Sequence, residues 1–141
     1  MKTNKKIASV FFLINFILFS FVGLSQNKKT DIEKLKSFTW IYQGLKDCQD
    51  IYSNNTVRHI AGDYVGVDKY YLSDSIDSIF VEKKVGSKSN GKYIHTIAMR
   101  DKNDKRPSPL SVFEIIVLTD DKLLLKYIKT GVVVELCSQK N

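Results

Sequence analysis

Short hydrophobic runs, each separated from the next by turn-forming residues, dominate the chain after Ser37. Most runs are rich in aromatic and β-branched residues, which favour strands. No long amphipathic helix alternates with them, so a parallel α/β sheet is not expected. The spacing predicts an all-β antiparallel sandwich or barrel, and we favour an up-and-down barrel of eight strands. The predicted strands span residues 38–42, 56–60, 69–72, 76–83, 93–100, 111–118, 123–128 and 132–137.

One short helix is predicted ahead of the first strand. Thr30 is a candidate N-cap with Glu33 three residues later, which is the capping-box pattern. Ile32 and Leu35 are three residues apart and can face one side. Because the segment is too short to be stable alone, it is expected to pack on the strands.

Polar and apolar residues alternate in the fifth predicted strand. Tyr93, His95, Ile97 and Met99 share one face of it. The preceding residues 86–91 have the composition of a turn, and Asn-Gly at 90–91 is a strong hairpin signal.

The N-terminal segment is typical of a secretory signal peptide. Lysines at positions 2, 5 and 6 precede an uncharged apolar run over residues 7–24, and Gly23 and Ser25 supply small residues at its exit. We predict a signal peptide over residues 1–25, cleavage between Ser25 and Gln26, and one domain over residues 26–141. An uncleaved anchor is the alternative, and Asn15 near the centre of the run argues against it. A secreted or periplasmic protein without a membrane segment after cleavage is therefore expected.

The charge balance gives little support for nucleic-acid binding. The formal net charge is +7, and removal of residues 1–25 lowers it to +4 because that segment carries three Lys and no acidic residue. The remaining charges are interspersed, as in residues 101–106. This pattern indicates a solvated surface and not a phosphate-binding stripe.

Two cysteines, Cys48 and Cys137, lie in the exported part. An oxidising compartment favours one intramolecular disulfide bond between them, with a dimer bond or two free thiols as alternatives. The bond would join the first and last strands, which are neighbours in an up-and-down barrel. A metal site is not expected, because these cysteines and the two histidines, His59 and His95, have no metal-binding spacing.

Catalytic signatures are absent from the sequence. It contains no G-x-S-x-G elbow and no H-E-x-x-H motif. Asp120 and Asp121 are adjacent on a predicted turn, where such residues serve turn formation. The sequence therefore predicts a protein that is not an enzyme, with no catalytic residue, cofactor or metal.

Two stretches resemble the small secreted lipocalin-like proteins of Bacteroidetes-type bacteria. Residues 35–40 (Leu-Lys-Ser-Phe-Thr-Trp) resemble the start of the first lipocalin strand, with Phe38 where that family has Gly. Residues 113–126 are similar to the late hairpin of those proteins, and Leu24-Ser25-Gln26 is similar to their signal-peptide exit. The resemblance implies a barrel with an internal ligand site. Residues 89–93 (Ser-Asn-Gly-Lys-Tyr) resemble, more faintly, the functional loop of periplasmic lysozyme inhibitors.

Two functional hypotheses follow. The first is a small apolar ligand held in the barrel, since aromatic side chains combine an apolar body with a polar tip. Its predicted contacts are Trp40, Tyr70, Tyr71, Phe80, Tyr93 and Ile97. The second is a protein-binding module, such as an enzyme inhibitor or an immunity-type protein, with contacts in loops 86–91 and 101–109. The Asp-Ser-Ile triplets at 74–76 and 77–79 resemble the O-glycosylation acceptor of Bacteroidetes-type exported proteins. The resemblance implies that Ser75 and Ser78 are candidate glycosylation sites, and a turn followed by a strand start is the alternative.

Overall fold

The computed structural model describes residues 28–140. The predicted signal peptide and its cleavage site lie outside these residues. Within them, no helix is long and apolar enough to cross a bilayer. The described chain contains one α-helix, α1 (Asp31–Lys36), followed by eight strands. These are β1 (Phe38–Tyr42), β2 (Cys48–Tyr52), β3 (Thr56–Ala61), β4 (Tyr64–Ser73), β5 (Tyr93–Ala98), β6 (Leu110–Leu118), β7 (Lys122–Tyr127) and β8 (Val133–Lys140).

The strands form a closed antiparallel barrel. Each strand pairs with the next along the chain, and β8 pairs with β1 along five residue pairs, from Phe38 opposite Lys140 to Tyr42 opposite Leu136. This arrangement confirms the predicted eight-stranded up-and-down barrel. Closure leaves no unpaired sheet edge to recruit another chain.

The set of strands differs from the predicted set, although the number agrees. β2 was not predicted, and residues 76–83, which were predicted as a strand, belong to the connection between β4 and β5, with one turn of 3-10 helix at Glu82–Lys84. β2 escaped detection because Asp50, a charged residue, occupies a buried position that an apolar residue would ordinarily fill. Phe80 of this connection packs against Tyr71 on the outside of the barrel, whereas Ile76 and Ile79 are exposed to solvent.

Apolar side chains fill the interior. Residues that pair across antiparallel strands point to the same face, so the register assigns Trp40, Tyr70 and their cross-strand neighbours to the inside. The rings of Tyr52 and Tyr70 are nearly perpendicular, with the ring centres 5.4 Å apart. The buried cluster comprises Leu35, Phe38, Trp40, Tyr52, Val57, Tyr70, Leu72, Ile94, Leu123, Leu125 and Leu136.

Helix α1 packs at the end of the barrel where β1 begins, which we call the helix end. The predicted capping box is present, with the Thr30 side chain accepting a hydrogen bond from the Glu33 N–H and the Glu33 side chain accepting one from the Thr30 N–H. Leu35 is completely buried, and the Trp40 Nε1–H donates a hydrogen bond to its carbonyl over 2.9 Å. The predicted helix and its inward residues are thereby confirmed.

The predicted disulfide bond between Cys48 and Cys137 is absent from the described structure, where both thiols are free. Cys48 does not end β1 but begins β2, so β1 separates it from Cys137 on β8. Two strand spacings are roughly 9–10 Å, beyond the Cα separation of about 4.4–6.8 Å that a disulfide requires. The register also places Cys48 beside inward Ala61 and Cys137 opposite outward Lys122.

Candidate functional site

The end of the barrel opposite α1 carries a recess, and we call this end the mouth. Four connections between strands form the mouth: residues 43–47, 62–63, 99–109 and 128–132. The recess has a volume of about 180 Å³. Its lining is Tyr42, Leu45, Cys48, Asp50, His59, Ile60 and Ala61.

Four polar side chains at the recess form a connected group, which we call the mouth cluster: Tyr42, Asp50 and His59, which line the recess, and Asp68, which contacts His59. Asp50 and His59 are directly opposite each other on β2 and β3, and the Nδ1 atom of His59 lies 2.7 Å from Oδ1 of Asp50. The Nε2 atom of the same ring lies 3.4 Å from Oδ2 of Asp68 on β4. The Tyr42 hydroxyl donates a hydrogen bond to Oδ2 of Asp50 over 2.9 Å.

His59 is the positive charge of this group. Burial on its own would lower the pKa of His59, but the hydrogen bonds to Asp50 and Asp68 and the charges of both carboxylates raise it to about 10. At neutral pH the ring is therefore protonated, and each of its N–H groups points to a carboxylate. The mouth cluster thus has two carboxyl groups for one imidazolium.

The Tyr42 hydroxyl remains protonated as a hydrogen-bond donor. Burial, followed by the charge of Asp50, raises the pKa of this phenol well above its usual value. Asp50 is itself only 2 % exposed. Buried carboxylates are costly unless they are paired and hydrogen-bonded, and Tyr42 and His59 fulfil both conditions.

A glycine opposite His59 leaves space at the mouth. Gly66 on β4 pairs with His59 on β3, and its missing side chain lets the phenol ring of Tyr64 lie over the backbone. A Cβ atom at position 66 would approach the Tyr64 hydroxyl to 2.8 Å. The Tyr64 side chain is 67 % exposed and lies at the mouth, outside the lining of the recess.

The mouth cluster is suited to binding hydrogen-bond donors. Because both imidazole nitrogens of His59 donate to carboxylates, the ring has no lone pair with which to remove a proton at neutral pH. Among residues 28–140, no group of three or more His, Cys, Asp or Glu side chains is arranged to hold a metal ion. The remaining capacity of the group lies in the carboxylate oxygens, which accept hydrogen bonds from a donor.

The six predicted ligand contacts do not form one site. Trp40 and Tyr70 point into the barrel, where both are buried in the packed core. The register places Tyr71, Tyr93 and Ile97 on the outer face of β4 and β5. Phe80 lies in the connection over this outer face, beside Tyr71. Tyr93, His95 and Ile97 thus share one face of the strand, as the alternation predicts. That face is the outer face of the barrel and not the interior, where the ligand was expected.

Sequence reasoning did not identify Asp50 and Asp68 as functional candidates. One signal was available in the sequence: Cys48, Asp50 and Tyr52 are spaced two residues apart, as residues on one face of a strand are. The segment that contains them was not predicted to be a strand. His59 was considered as a metal ligand, but its partners are nine residues away on each side in the sequence. Only the register of β2, β3 and β4 shows that these residues meet.

The two predicted protein-contact loops lie at opposite ends of the barrel. Residues 86–91 lie at the helix end, where the Ser89 carbonyl accepts a hydrogen bond from the Ile32 N–H over 3.0 Å. Residues 101–109 belong to the mouth. A single partner touching both loops would have to span the length of the barrel.

Comparisons of the chain with protein-family models, with curated proteins and with solved structures found no match. The fold and the mouth cluster are thus the basis for assigning a function.

Proposed function

We propose that this chain is an exported, lipocalin-like binding protein that holds a small organic cation, a primary amine with a short apolar body, in the recess at the mouth. The observation that carries the proposal is the mouth cluster, an excess of one carboxylate over one imidazolium beside an apolar recess. Export is proposed from residues 1–25 alone.

The position of the site follows from the packing of the barrel. The first hypothesis placed an apolar ligand deep inside, but Trp40, Tyr52 and Tyr70 and their neighbours occupy that space with at most 7 % exposure. Eight-stranded barrels are narrow enough for side chains to fill them. A ligand at the mouth requires no displacement of this core.

The charge of the ligand follows from the hydrogen-bonding capacity of the site. An anion would find both N–H groups of His59 already directed at Asp50 and Asp68. Asp68 does not line the recess, but it contacts His59, which does. An ammonium group placed beside the exposed part of His59 can instead donate to the Asp68 carboxylate, whose 3.4 Å contact with His59 is the longer of the two and whose side chain is 20 % exposed. Hydrogen bonds between two charged groups are roughly twice as strong as neutral ones.

The size of the ligand follows from the volume of the recess. Pockets that enclose drug-sized ligands measure about 300–1,000 Å³. The recess at about 180 Å³ is smaller and fits a ligand with one short apolar group. Leu45, Ile60 and Ala61 supply apolar contacts for that group.

Calorimetric titration with benzylamine and with benzyl alcohol, its uncharged analogue, tests the proposal. Benzylamine is expected to bind roughly tenfold or more tightly than the alcohol, in line with about 1.5–3 kcal/mol for a hydrogen bond to a charged group. Asp68→Asn should remove the preference. Asp63→Asn, which removes the same charge from an exposed residue of the 62–63 turn, should retain it.

A second variant tests whether the recess is the binding site, independently of whether the ligand is a cation. Ala61→Trp is expected to fill the recess and to abolish binding of both compounds while leaving the mouth cluster in place. Equal binding of amine and alcohol would contradict the ligand class alone. Binding of neither amines nor neutral analogues would contradict the proposed site itself.

One observation favours protein binding as a second candidate function. Every connection at the mouth exposes a large apolar side chain at or beside it, and large exposed apolar groups mark interaction surfaces when they cluster. They are Leu45, Tyr64, Met99 and Val132, each at least half exposed. A partner on this rim should be lost from pull-downs with Leu45→Ser/Val132→Ser and kept with Ile116→Ser, an exposed apolar residue near the helix end of β6.

A further inference from the structure

The outer face of β4 and β5 holds a buried histidine that the proposed ligand site does not use. Residues 74–92, which we call the cover segment, pass over this face. Beneath the segment, His95 is completely buried and its ring is stacked on Tyr71, with the ring centres 4.6 Å apart and an interplanar angle of 7°. The backbone N–H of Asp77 in the cover segment donates a hydrogen bond to Nε2 of His95 over 2.9 Å.

This hydrogen bond fixes the protonation state of His95. Since Nε2 accepts a hydrogen bond, the ring is neutral and its proton is on Nδ1. Nδ1 has no hydrogen-bond partner among the described residues. A second proton can be added only at Nε2, where it would face the Asp77 N–H. Two donors would then oppose each other, and the buried cation would have neither N–H group satisfied.

The charged groups around His95 do not provide a free counter-ion. The nearest carboxylate oxygen, Oδ2 of Asp77, is 4.0 Å from Nε2. That oxygen already accepts hydrogen bonds from Lys84 Nζ over 2.6 Å and from the Tyr71 hydroxyl over 2.8 Å. On the other side, β6 presents the apolar Val112 opposite His95. Burial lowers the pKa of His95, and the attraction of Asp77 is opposed by Lys84.

We propose that the cover segment is an acid-released latch: a proton added to His95 detaches residues 74–92 from the outer face of β4 and β5. Release relieves the buried cation by exposing the ring to water. It also uncovers the aromatic surface of Tyr71 and Phe80. This device is separate from the ligand site at the mouth and does not depend on it.

The latch is linked to the helix end. The cover segment holds α1 through three hydrogen bonds: Ile32 N–H to the Ser89 carbonyl, Asp31 N–H to the Asn90 side chain, and Gly91 N–H to the Asp31 carboxylate. Gly91 fits closely against β4, since a Cβ atom there would lie 2.7 Å from the Ser73 nitrogen. Detachment of the centre of the segment therefore loosens the contacts that hold α1 at the barrel.

Hydrogen exchange measured by mass spectrometry tests the latch, with the mature protein near pH 7.5 and near pH 5 and with correction for intrinsic exchange rates. Residues 74–92 should exchange roughly tenfold faster or more at the acidic pH, while the β6–β7 hairpin should not change. His95→Gln offers an acceptor for the Asp77 N–H but does not titrate, so its cover segment should be equally protected at both pH values. His59→Gln, which removes the other histidine, should keep the acid response.

Three results would overturn the latch: no acceleration in the wild-type protein, the same acceleration in His95→Gln, or different midpoints for exchange and for His95 titration. If His95→Gln fails to fold, the wild-type protein provides the test. The midpoint of His95 ring titration by NMR should coincide with the midpoint of the exchange change across residues 74–92. Two separate midpoints would exclude His95 as the trigger.

Discussion

Asp50 on β2 and His59 on β3 face each other inside the barrel, with 2.7 Å between Oδ1 and Nδ1. The carboxylate is almost fully buried, whereas the histidine side chain is 34 % exposed and connects it to the recess. His59 therefore connects the buried Asp50 carboxyl group to the recess, where a ligand can approach the exposed part of the imidazole ring.

Replacement of His59 by Leu should destabilise the protein at neutral pH because it leaves Asp50 buried with Tyr42 as its remaining partner. Breaking a fully buried pair costs about 3–5 kcal/mol. We expect about 2–3 kcal/mol here, since water reaches part of the ring. Urea unfolding measures the change. The deficit should be smaller in Asp50→Asn/His59→Leu, which removes the buried charge, and equal deficits in the two variants would contradict the pairing.

The raised pKa of His59 predicts a loss of stability in alkaline solution. The native ring keeps its proton up to about pH 10, whereas the unfolded ring loses it near the model-compound value of 6.5. The contribution is therefore complete below pH 6.5 and disappears as the pH rises through about 10. We expect a loss of about 1–2 kcal/mol, reduced from the full linkage value because the side chain is partly exposed. Unfolding midpoints across this range should fall in the wild type and stay flatter in His59→Gln.

His95 predicts the opposite dependence at acidic pH. Its pKa is lowered from 6.5 in the native protein, so the unfolded state binds more protons below that value. Stability should therefore decrease as the pH falls below 6.5 and through the native pKa. Urea unfolding near pH 7 and near pH 5 checks this, with His95→Gln as the variant in which the decrease should be smaller. An unchanged decrease in that variant would assign the effect to other groups.

Trp40 should report a packed interior. It is the only tryptophan, it is completely buried, and its Nε1–H is bonded to the Leu35 carbonyl. Its fluorescence should be blue-shifted, resistant to quenching by acrylamide, and unaffected by fatty acids. Trp40→Phe should cost about 2–4 kcal/mol through lost volume and an unpaired carbonyl, against about 0.5 kcal/mol or less for the exposed Ile116→Ala. A strong response to fatty acids would restore the deep apolar site.

The separation of Cys48 and Cys137 predicts that reductant does not change the stability of the barrel. Unfolding without reductant should leave both thiols open to alkylation, as mass spectrometry can show. Cys48→Ser should have the same unfolding midpoint with and without dithiothreitol, as should the wild type. A wild-type protein that resists alkylation until it is reduced would contradict this arrangement.

The barrel was predictable because local signals agree with the fold along most of the chain. The capping box of Thr30 and Glu33 marks the helix, and aromatic or β-branched runs mark most strands. The strand pattern failed at two places where burial departs from the usual rule. β2 was not predicted because Asp50, a charged residue, occupies a buried position in it. Residues 76–83 were predicted as a strand because they include a run of apolar residues, but Phe80 packs on the outer face of the barrel.

The site itself required the register of the strands. Sequence shows that Tyr93, His95 and Ile97 share a face, but it does not show which side of the wall that face occupies. A one-residue change of register would invert every side chain, so only the pairing of β4 with β5 decides the question. The same holds for Asp68, which meets His59 only because β3 and β4 pair in their observed register.

The titration of the His59 ring by NMR is the most direct test of the mouth cluster, on which the choice of a cationic ligand depends. With a pKa of about 10, its ring resonances should stay those of an imidazolium from pH 6 to pH 8.5. They should titrate near their ordinary value once Asp50 and Asp68 are both replaced by Asn. A wild-type ring that titrates near 6.5 would show that the two carboxylates do not hold its charge, and the proposed site would lose its basis.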